Sequence, residues 1–564
     1  MTQLTRSYTH GASAQALLGE TIGEAFDRIV ARAADCEALV VRQQRVRWAY
    51  RDLHARVDAF AAGLVALGIE RGDRLGIWSP NNAEWVIAQL ATARAGIILV
   101  NINPAYRVHE LQFALSRVGC KALITATAFK GADYLDMLRE LAPEIDQATP
   151  GELQAAAFPE LRTIIQIGGS PSSGVLAFED VPGLANHASI ERLRARAGLL
   201  QFDDPINIQF TSGTTGAPKG ATLTHHNLLN NGYFVGEALR LTESDRVCIP
   251  VPLYHCFGMV LGNLACLTHA STMVYPSEGF DARAVLDAVA AERCTALYGV
   301  PTMFISELNH PEFPAFDLGS LRTGIMAGSP CPVEVMKRVI SEMQMGEVTI
   351  CYGMTETSPV SFQTAADDPV DRRVSTVGRI HPHVEVKIVD AQGHIVAPGV
   401  PGELCTRGYS VMLGYWDDPA RTAEAVDEAG WMHTGDLATL DAEGYCNIVG
   451  RIKDMVIRGG ENVYPREIEE FLHGHPKIQD VQVIGVPDQK YGEEICAWIV
   501  PKPGVTLTAD DVRAFCEARI ARYKVPRYVK LVDAFPLTVT GKVQKYLMRE
   551  QMKVELGLVD ERTA

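Results

Sequence analysis

Short apolar runs alternate with segments of helical spacing over the first half of the chain, and this rhythm is what most limits its fold. "IGEAFDRIVARAA", "YRDLHARVDAFAAGLVALG" and "NAEWVIAQLATARA" repeat apolar side chains at three- and four-residue intervals, as one face of a helix requires. "DRLGIWS", "GIILVNI", "KALITAT", "LRTIIQIG", "DRVCIPVP" and "TMVYP" are too short for helices and too apolar for solvent. They read as strands. Such alternation predicts an α/β fold with largely parallel sheets. The texture changes near residue 384, where "VEVKIVD", "GELCTRG" and "GYCNIVGR" make a β-rich section with Gly and Asp turns. Past "GRIKD" a compact α/β pattern starts afresh. "VQVIGVPD" and "EICAWIVP" read as strands, and "TADDVRAFCEARIARY" reads as a helix opened by a capping box of Thr508 and Asp511. The expectation is a large N-terminal domain over 1–450, with sheets flanked by helices plus the β-rich section. A link at 451–454 joins it to a small C-terminal α/β domain over 455–564. A length of 564 residues suits such a division.

Between the apolar "INIQF" and the helical "HHNLLNNGYFVGEAL" lies "TSGTTGAPKGA", Thr211 to Ala221. Glycine lets backbone N–H groups approach a ligand, Thr and Ser hydroxyls donate hydrogen bonds, and Lys219 supplies a compact cation. That combination suits a polyanion, and the flanks suggest a loop joining strand to helix or a similar turn. It is not a Walker A loop, because Gly220 stands where Ser or Thr is required after the lysine.

Charge and cysteine usage narrow the function. The formal net charge of −16 argues against nucleic acid or an anionic membrane surface as partner. The 12 cysteines include no C-x-x-C pair, so they read as reduced, buried apolar residues of a cytoplasmic protein. The first 20 residues lack the continuous apolar segment of a signal peptide. Val247 to Ser277 carries no Asp, Glu, Lys or Arg, but Pro250, Pro252, His255, Asn263, His269 and Pro276 interrupt it. We read it as a buried helix and strand lining a cavity, not as a transmembrane segment.

Five polar clusters punctuate the rest: "YGMTET", "HTGD", "GRIKD", "RGGENVYP" and "PLTVTGK". Taken singly, each residue has an ordinary reading. Glu356 is a carboxylate that suits Mg²⁺ or a surface charge. Tyr352 is a stacking ring or a core ring. Asp436 is a ribose ligand or a turn residue. Lys542 is an anion stabiliser or a solvated charge.

Together, and in this order after "TSGTTGAPKGA", the motifs resemble the adenylate-forming superfamily: acyl-CoA synthetases, firefly luciferases and peptide-synthetase adenylation domains. They span roughly residues 200–545, and the whole looks most like medium-chain fatty acyl-CoA synthetases. The resemblance implies that ATP and a carboxylic (fatty) acid give an acyl-adenylate and pyrophosphate, after which coenzyme A gives acyl-CoA and AMP. It implies that Thr211, Ser212, Gly213, Thr214, Thr215, Gly216 and Lys219 hold the β- and γ-phosphates. Thr355 contacts the α-phosphate and Glu356 binds Mg²⁺. Tyr352 with Ala327, Gly328, Ser329 and Pro330 forms the adenine slot, and Asp436 with Arg451 holds the ribose. Lys542 bridges carboxylate and α-phosphate. Lys453 is the hinge about which a mobile C-terminal domain turns, and Gly459 and Gly460 then admit the pantetheine arm. His255 in "PLYHCFG" closes the acyl pocket during adenylation, or is a satisfied core histidine. Free coenzyme A is the expected acceptor. An aryl, branched or thioether acid as substrate, an inactive nucleotide- or acyl-binding protein, and a luciferase-type oxygenase stay as alternatives. Assembly as a homodimer is left open.

Overall fold

The computed structural model describes residues 3–170, 172–211, 218–329, 331–458, 461–517, 519–538 and 542–557. Two large sheets carry most of the chain. In the first, Leu176–Ala177, Thr163–Ile167, Ala122–Ala126, Arg74–Trp78, Ile98–Asn101 and Pro205–Thr211 run parallel, and Lys219–Thr224 and Gly414–Tyr415 close one edge antiparallel. In the second, Glu347–Gly353, Thr323–Ala327, Ala296–Gly299, Arg246–Cys248, Thr272–Tyr275 and Glu37–Val41 run parallel between antiparallel edges. The expected α/β fold with largely parallel sheets is therefore present.

Helices Tyr50–Ala66, Ala83–Ala95 and His225–Ala238 share one apolar core with strands of both sheets. Ala83–Ala95 is apolar nearly all round, with Trp85 and Ala88 fully shielded, because it is covered on every side. Asn82 caps it by accepting from the Trp85 N–H at 2.9 Å, and Gly96 ends it at φ 69°. Trp78 stacks on Tyr134 with centroids 3.6 Å apart, a pair contributing about 1 kcal/mol beyond its burial.

The charge-free stretch is buried, as expected, but not regular. Phe257–Leu264 forms a π-helix that passes into the short α-helix Ala265–His269. Among the described residues no helix is long and apolar enough to cross a membrane.

The β-rich section is an antiparallel sheet of Tyr8–His10, Val384–Val389, Gly402–Gly408, Met432–Leu440 and Cys446–Arg451. Beyond it, Glu461–Val463, Val456–Arg458, Gly492–Pro501, Ile478–Asp488 and Tyr528–Leu531 form a separate sheet, whose two apolar clusters draw only on residues from Val456 onward.

Two local expectations need correction. The segment after "TSGTTGAPKGA" does not enter a helix at once. Thr211 pairs with Lys219, so the loop joins two antiparallel strands, and His225–Ala238 begins only after the second. The helix in "TADDVRAFCEARIARY" has its Thr508–Asp511 capping box but stops at Cys516, where Glu517 turns to ψ 136°.

Candidate active site

The parallel strands of the second sheet deliver several of the singled-out residues at their carboxyl ends, where open α/β sheets place ligands. Ala327 ends its strand, Gly328 and Ser329 follow, and Tyr352 lies one residue from the end of the next. Thr355 and Glu356 sit in the single turn Thr355–Thr357 just beyond. Gly353 is required there, because a Cβ would overlap the Pro359 carbonyl. Asp436 and Arg451 face each other across the antiparallel sheet.

Three elements meet at Asp436, which is 7% exposed. The Tyr352 hydroxyl donates to its Oδ2 at 2.6 Å, and Arg451 Nε donates to its Oδ1 at 3.1 Å. Burial and the neighbouring Asp436 charge hold the Tyr352 phenol well above its ordinary range. The ring of Tyr352 packs edge-on to Phe362.

Glu356 is 6% exposed. Its Oε1 accepts from the Tyr415 hydroxyl at 2.9 Å, and its backbone carbonyl accepts from the Met412 N–H at 2.9 Å. Tyr415 also carries Lys219, whose Nζ stands 4.7 Å from its ring centroid. Register explains the meeting: Tyr415 pairs with Ala221, two residues along the same face from Lys219.

Lys542 enters this crevice from the C-terminal part. The Thr538 N–H donates to the Lys542 carbonyl at 2.7 Å and the Lys542 N–H donates to Thr538 Oγ1 at 3.0 Å, which closes a small loop. A methyl group on Gly328 would lie 3.8 Å from Lys542 Cε. Burial lowers the Lys542 ammonium first, and Arg451 adds to this, while Cys256, Glu356 and Asp436 pull the other way. The field of Lys542 also reaches His255, whose imidazole is held down to about 3, chiefly by burial. His255 is thus neutral, and its Nδ1 accepts from the Phe257 N–H at 3.2 Å.

The structure therefore brings together Lys219, Tyr352, Thr355, Glu356, Asp436, Arg451, Lys542, His255 and the Ala327–Ser329 turn. Thr211 flanks Lys219 as its strand partner. Lys453 is exposed, in the turn Ile452–Asp454. Ser212, Gly213, Thr214, Thr215, Gly216, Pro330, Gly459 and Gly460 lie outside the described residues.

Two participants escaped the sequence reading. Tyr415 is one; its only signal was the Gly-Tyr-Trp run after residue 413. Cys256 is the other. Its thiol donates to Gln209 Oε1 at 3.0 Å, burial pushes it up to about 12, and a hydrogen bond with Thr355 and the Lys542 charge pull back. Gln209 continues inward through Asn207 to Asn101, a buried amide chain beneath the crevice.

A crevice at the end of a parallel sheet, lined by two carboxylates and three cations, suits a phosphorylated ligand, as the resemblance to adenylate-forming enzymes implies. The AMP-binding enzyme family matches residues 26–416, and the AMP-binding enzyme C-terminal domain matches residues 467–542. The chain belongs to the AMP-binding enzyme family. It is 48% identical over 558 residues to the medium-chain acyl-CoA ligase ACSF2, mitochondrial, of Danio rerio, covering 98% of this chain and 92% of the relative. It is 49% identical over 536 residues to the putative acyl-CoA synthetase YngI of Bacillus subtilis (strain 168), covering 95% and 97%. Among solved structures, ATP-bound MatB from Rhodopseudomonas palustris superposes with a TM-score of 0.80 at 30% identity, covering 94% of this chain and 99% of that one. The anthranilate CoA ligase AuaEII in complex with anthranoyl-AMP gives 0.84 at 25% identity, covering 96% and 99%.

Proposed function

We infer that the chain is an ATP- and CoA-dependent acyl-CoA synthetase acting on fatty acids of medium length. One observation carries the mechanism: Lys542 shares a crevice with Glu356 and Asp436, although the three come from separate parts of the fold. Family membership and the named relatives support the reaction class.

In the first step a carboxylate oxygen attacks the α-phosphorus of ATP. A carbon–oxygen–phosphorus linkage forms, the bond to the β-phosphate oxygen breaks, and pyrophosphate leaves. Two anions must meet, so cations and donors have to be in place beforehand. Lys542 bridges the carboxylate and the α-phosphate, and Thr355 adds a hydroxyl. Lys219, with Thr211 and the intervening Ser212–Gly216 sequence, serves the departing phosphates. Asp436, held by Tyr352 and Arg451, has carboxylate lone pairs for the ribose hydroxyls. Tyr352 and the Ala327–Ser329 turn, with Pro330 next in sequence, flank the base. Glu356 fits a hard divalent cation, because it is a buried carboxylate whose Oε1 accepts from a neutral hydroxyl and not from a cation. Mg²⁺ held there would neutralise phosphate charge during the displacement. Neutral His255 closes the acyl side without adding a charge that would compete with Lys542.

In the second step the thiol of coenzyme A attacks the acyl carbonyl and AMP leaves. Because Lys542 serves the first step, the C-terminal domain over 455–564 would turn to admit the thiol, with Lys453 in the link 451–454 as pivot. Gly459 and Gly460 would then pass close to the pantetheine arm. Twelve free thiols suit a reducing compartment, and the cytoplasm is the one we propose.

The test is AMP release with Mg²⁺, ATP and coenzyme A across linear acids of increasing length. A maximum at medium length is expected. A preference for an aromatic or branched acid would overturn the substrate assignment, and failure of every acid would overturn the reaction class.

A further inference from the structure

We propose that Glu403, Cys405 and His433 form a binding site for a zinc-class divalent cation, distinct from the Mg²⁺ position at Glu356. The three side chains lie on the antiparallel sheet. Cys405 in Gly402–Gly408 is the direct register partner of His433 in Met432–Leu440, and Glu403 projects from the same face two residues earlier.

Their donor atoms converge. Cys405 Sγ is 3.5 Å from His433 Nδ1, Glu403 Oε2 is 3.0 Å from the same nitrogen, and all three donor atoms lie within 4.8 Å of one another. Metal–ligand bonds of about 2.0–2.3 Å in a tetrahedron put donors roughly 3.3–3.8 Å apart. The Cys405–His433 separation already falls in that range, the Glu403–His433 contact is slightly short of it, and the third separation is bounded at 4.8 Å, so a modest adjustment of the Glu403 side chain seats an ion.

The donor set selects the metal. Thiolate with imidazole favours zinc and its neighbours and disfavours magnesium, which takes oxygen ligands. Three protein ligands leave a fourth position. His433 and Glu403 keep 35% and 25% of their side chains exposed, so solvent reaches it, while Cys405 is buried behind them.

The surroundings are those of a supported ligand. If Nδ1 takes the ion, the ring proton moves to Nε2, which stands 3.7 Å from Asp427 Oδ2. A carboxylate behind the second nitrogen is the usual support for a metal-bound histidine. Asp427 is itself fixed by the N–H groups of Ala429 and Trp431, each at 2.9 Å. Glu403 Oε1 accepts from the Gly435 N–H at 3.3 Å. The ordinary reading is a hydrogen-bonded His433–Glu403 pair with Cys405 as filler. That reading gives the thiol no role, so the thiol is the place to test.

The full-length protein is titrated with Co²⁺ and then Zn²⁺, following absorbance and metal stoichiometry. One equivalent of cobalt should give an intense near-ultraviolet band of thiolate-to-cobalt charge transfer, and zinc should erase it. Cys405→Ser should remove the band, and Glu403→Gln should weaken cobalt affinity at least tenfold while leaving the melting temperature close to that of the parent. A charge-transfer band that survives in Cys405→Ser, or cobalt binding with no such band in the parent, would overturn the site. The readout needs no ligase activity, so its failure is separate from failure of the proposed function.

Discussion

Tyr415 holds Glu356 by a hydrogen bond of 2.9 Å and, on its ring face, stands 4.7 Å from the ammonium of Lys219. One side chain thus sets the position of the carboxylate proposed for Mg²⁺ and of the cation proposed for the leaving phosphates. The backbone of the short strand Gly414–Tyr415 is locked to Thr222 and Ala221 on one side and by the Thr422 hydroxyl, which accepts from the Tyr415 N–H at 2.9 Å, on the other.

Tyr415→Phe keeps the ring under Lys219 and removes only the hydroxyl. A hydrogen bond to a charged group contributes about 1.5–3 kcal/mol. We expect the Mg²⁺ concentration for half-maximal activity to rise about tenfold or more, with a smaller change in the KM for the acid. Magnesium titration at fixed ATP measures it. An unchanged magnesium requirement would show that Glu356 is positioned by other contacts.

Lys542→Ala separates the two chemical steps. The ammonium is inserted beside Gly328 and in the field of Glu356 and Asp436, and the role proposed for it belongs to the attack on phosphorus and not to the later thiol attack. Acid-dependent ATP–pyrophosphate exchange should fall by at least a hundredfold, since a positioned charge in such a site contributes several kcal/mol. Thioester formation from supplied acyl-adenylate and coenzyme A should stay within a few-fold of the parent. Loss of both would contradict this assignment.

Much of this was legible in the chain because buried parallel strands need apolar runs and their ends need polar residues. "EVTICYG" followed by "MTET" shows both at once. Other features left no such trace. The strand Lys219–Thr224 carries "KGATLT", with too few large apolar residues to mark a strand, so the hairpin passed for a strand-to-helix turn. Phe257–Leu264 is apolar at every position but Gly258, Gly262 and Asn263, and without periodicity an α-helix and a π-helix look alike. Tyr415 lies in a two-residue strand, and its role depends on strand pairing that brings it beside Lys219 and Glu356 across nearly 200 and about 60 residues of sequence. Cross-strand convergence at Glu403, Cys405 and His433 was hidden for the same reason.

Lys453→Pro tests the proposed rotation. The turn Ile452–Asp454 is anchored from the C-terminal side by Arg549, which donates to Asp454 Oδ1 at 3.1 Å. Proline fixes φ near −65° and restricts the residue before it, so the link loses the freedom to reorient. With Lys542 already in the crevice, adenylation should keep most of its rate, while thioester formation from supplied adenylate should fall at least tenfold further. Single-turnover measurement of each half-reaction decides. Equal losses in a folded variant would count against a swinging domain.

Acid should begin to destabilise the fold above the ordinary carboxylate range. His225 is fully buried at the start of the helix His225–Ala238, where the helix dipole disfavours positive charge, and its imidazole is held down to about 4 by burial. His381 is 3% exposed and is held down to about 3, also by burial; its Nε2 donates to Gln363 Oε1 at 2.9 Å and its buried Nδ1 has no partner among the described residues. Folded, both stay neutral where the unfolded chain, with histidines near 6.5, binds protons. Stability is therefore present above pH 6.5 and is lost as pH falls through 6.5 toward 4. At about 1.4 kcal/mol per pH unit, each histidine costs about 2 kcal/mol by pH 5. Asp480 acts oppositely: burial raises its carboxyl to about 7, so the folded state gains a proton over the same interval, offsetting about 2 kcal/mol. His255, His226 and His473, all lowered by burial, add to the destabilising side, while the Glu307 carboxyl, raised by burial, offsets as Asp480 does; the histidines outnumber the carboxyls, and the expected balance is a net loss. The melting temperature should drop between pH 7 and pH 5. His381→Gln, which has no proton to gain, should drop less over that interval than the parent by the equivalent of about 2 kcal/mol. Parallel curves for the two proteins would show that His381 is protonated in the folded state.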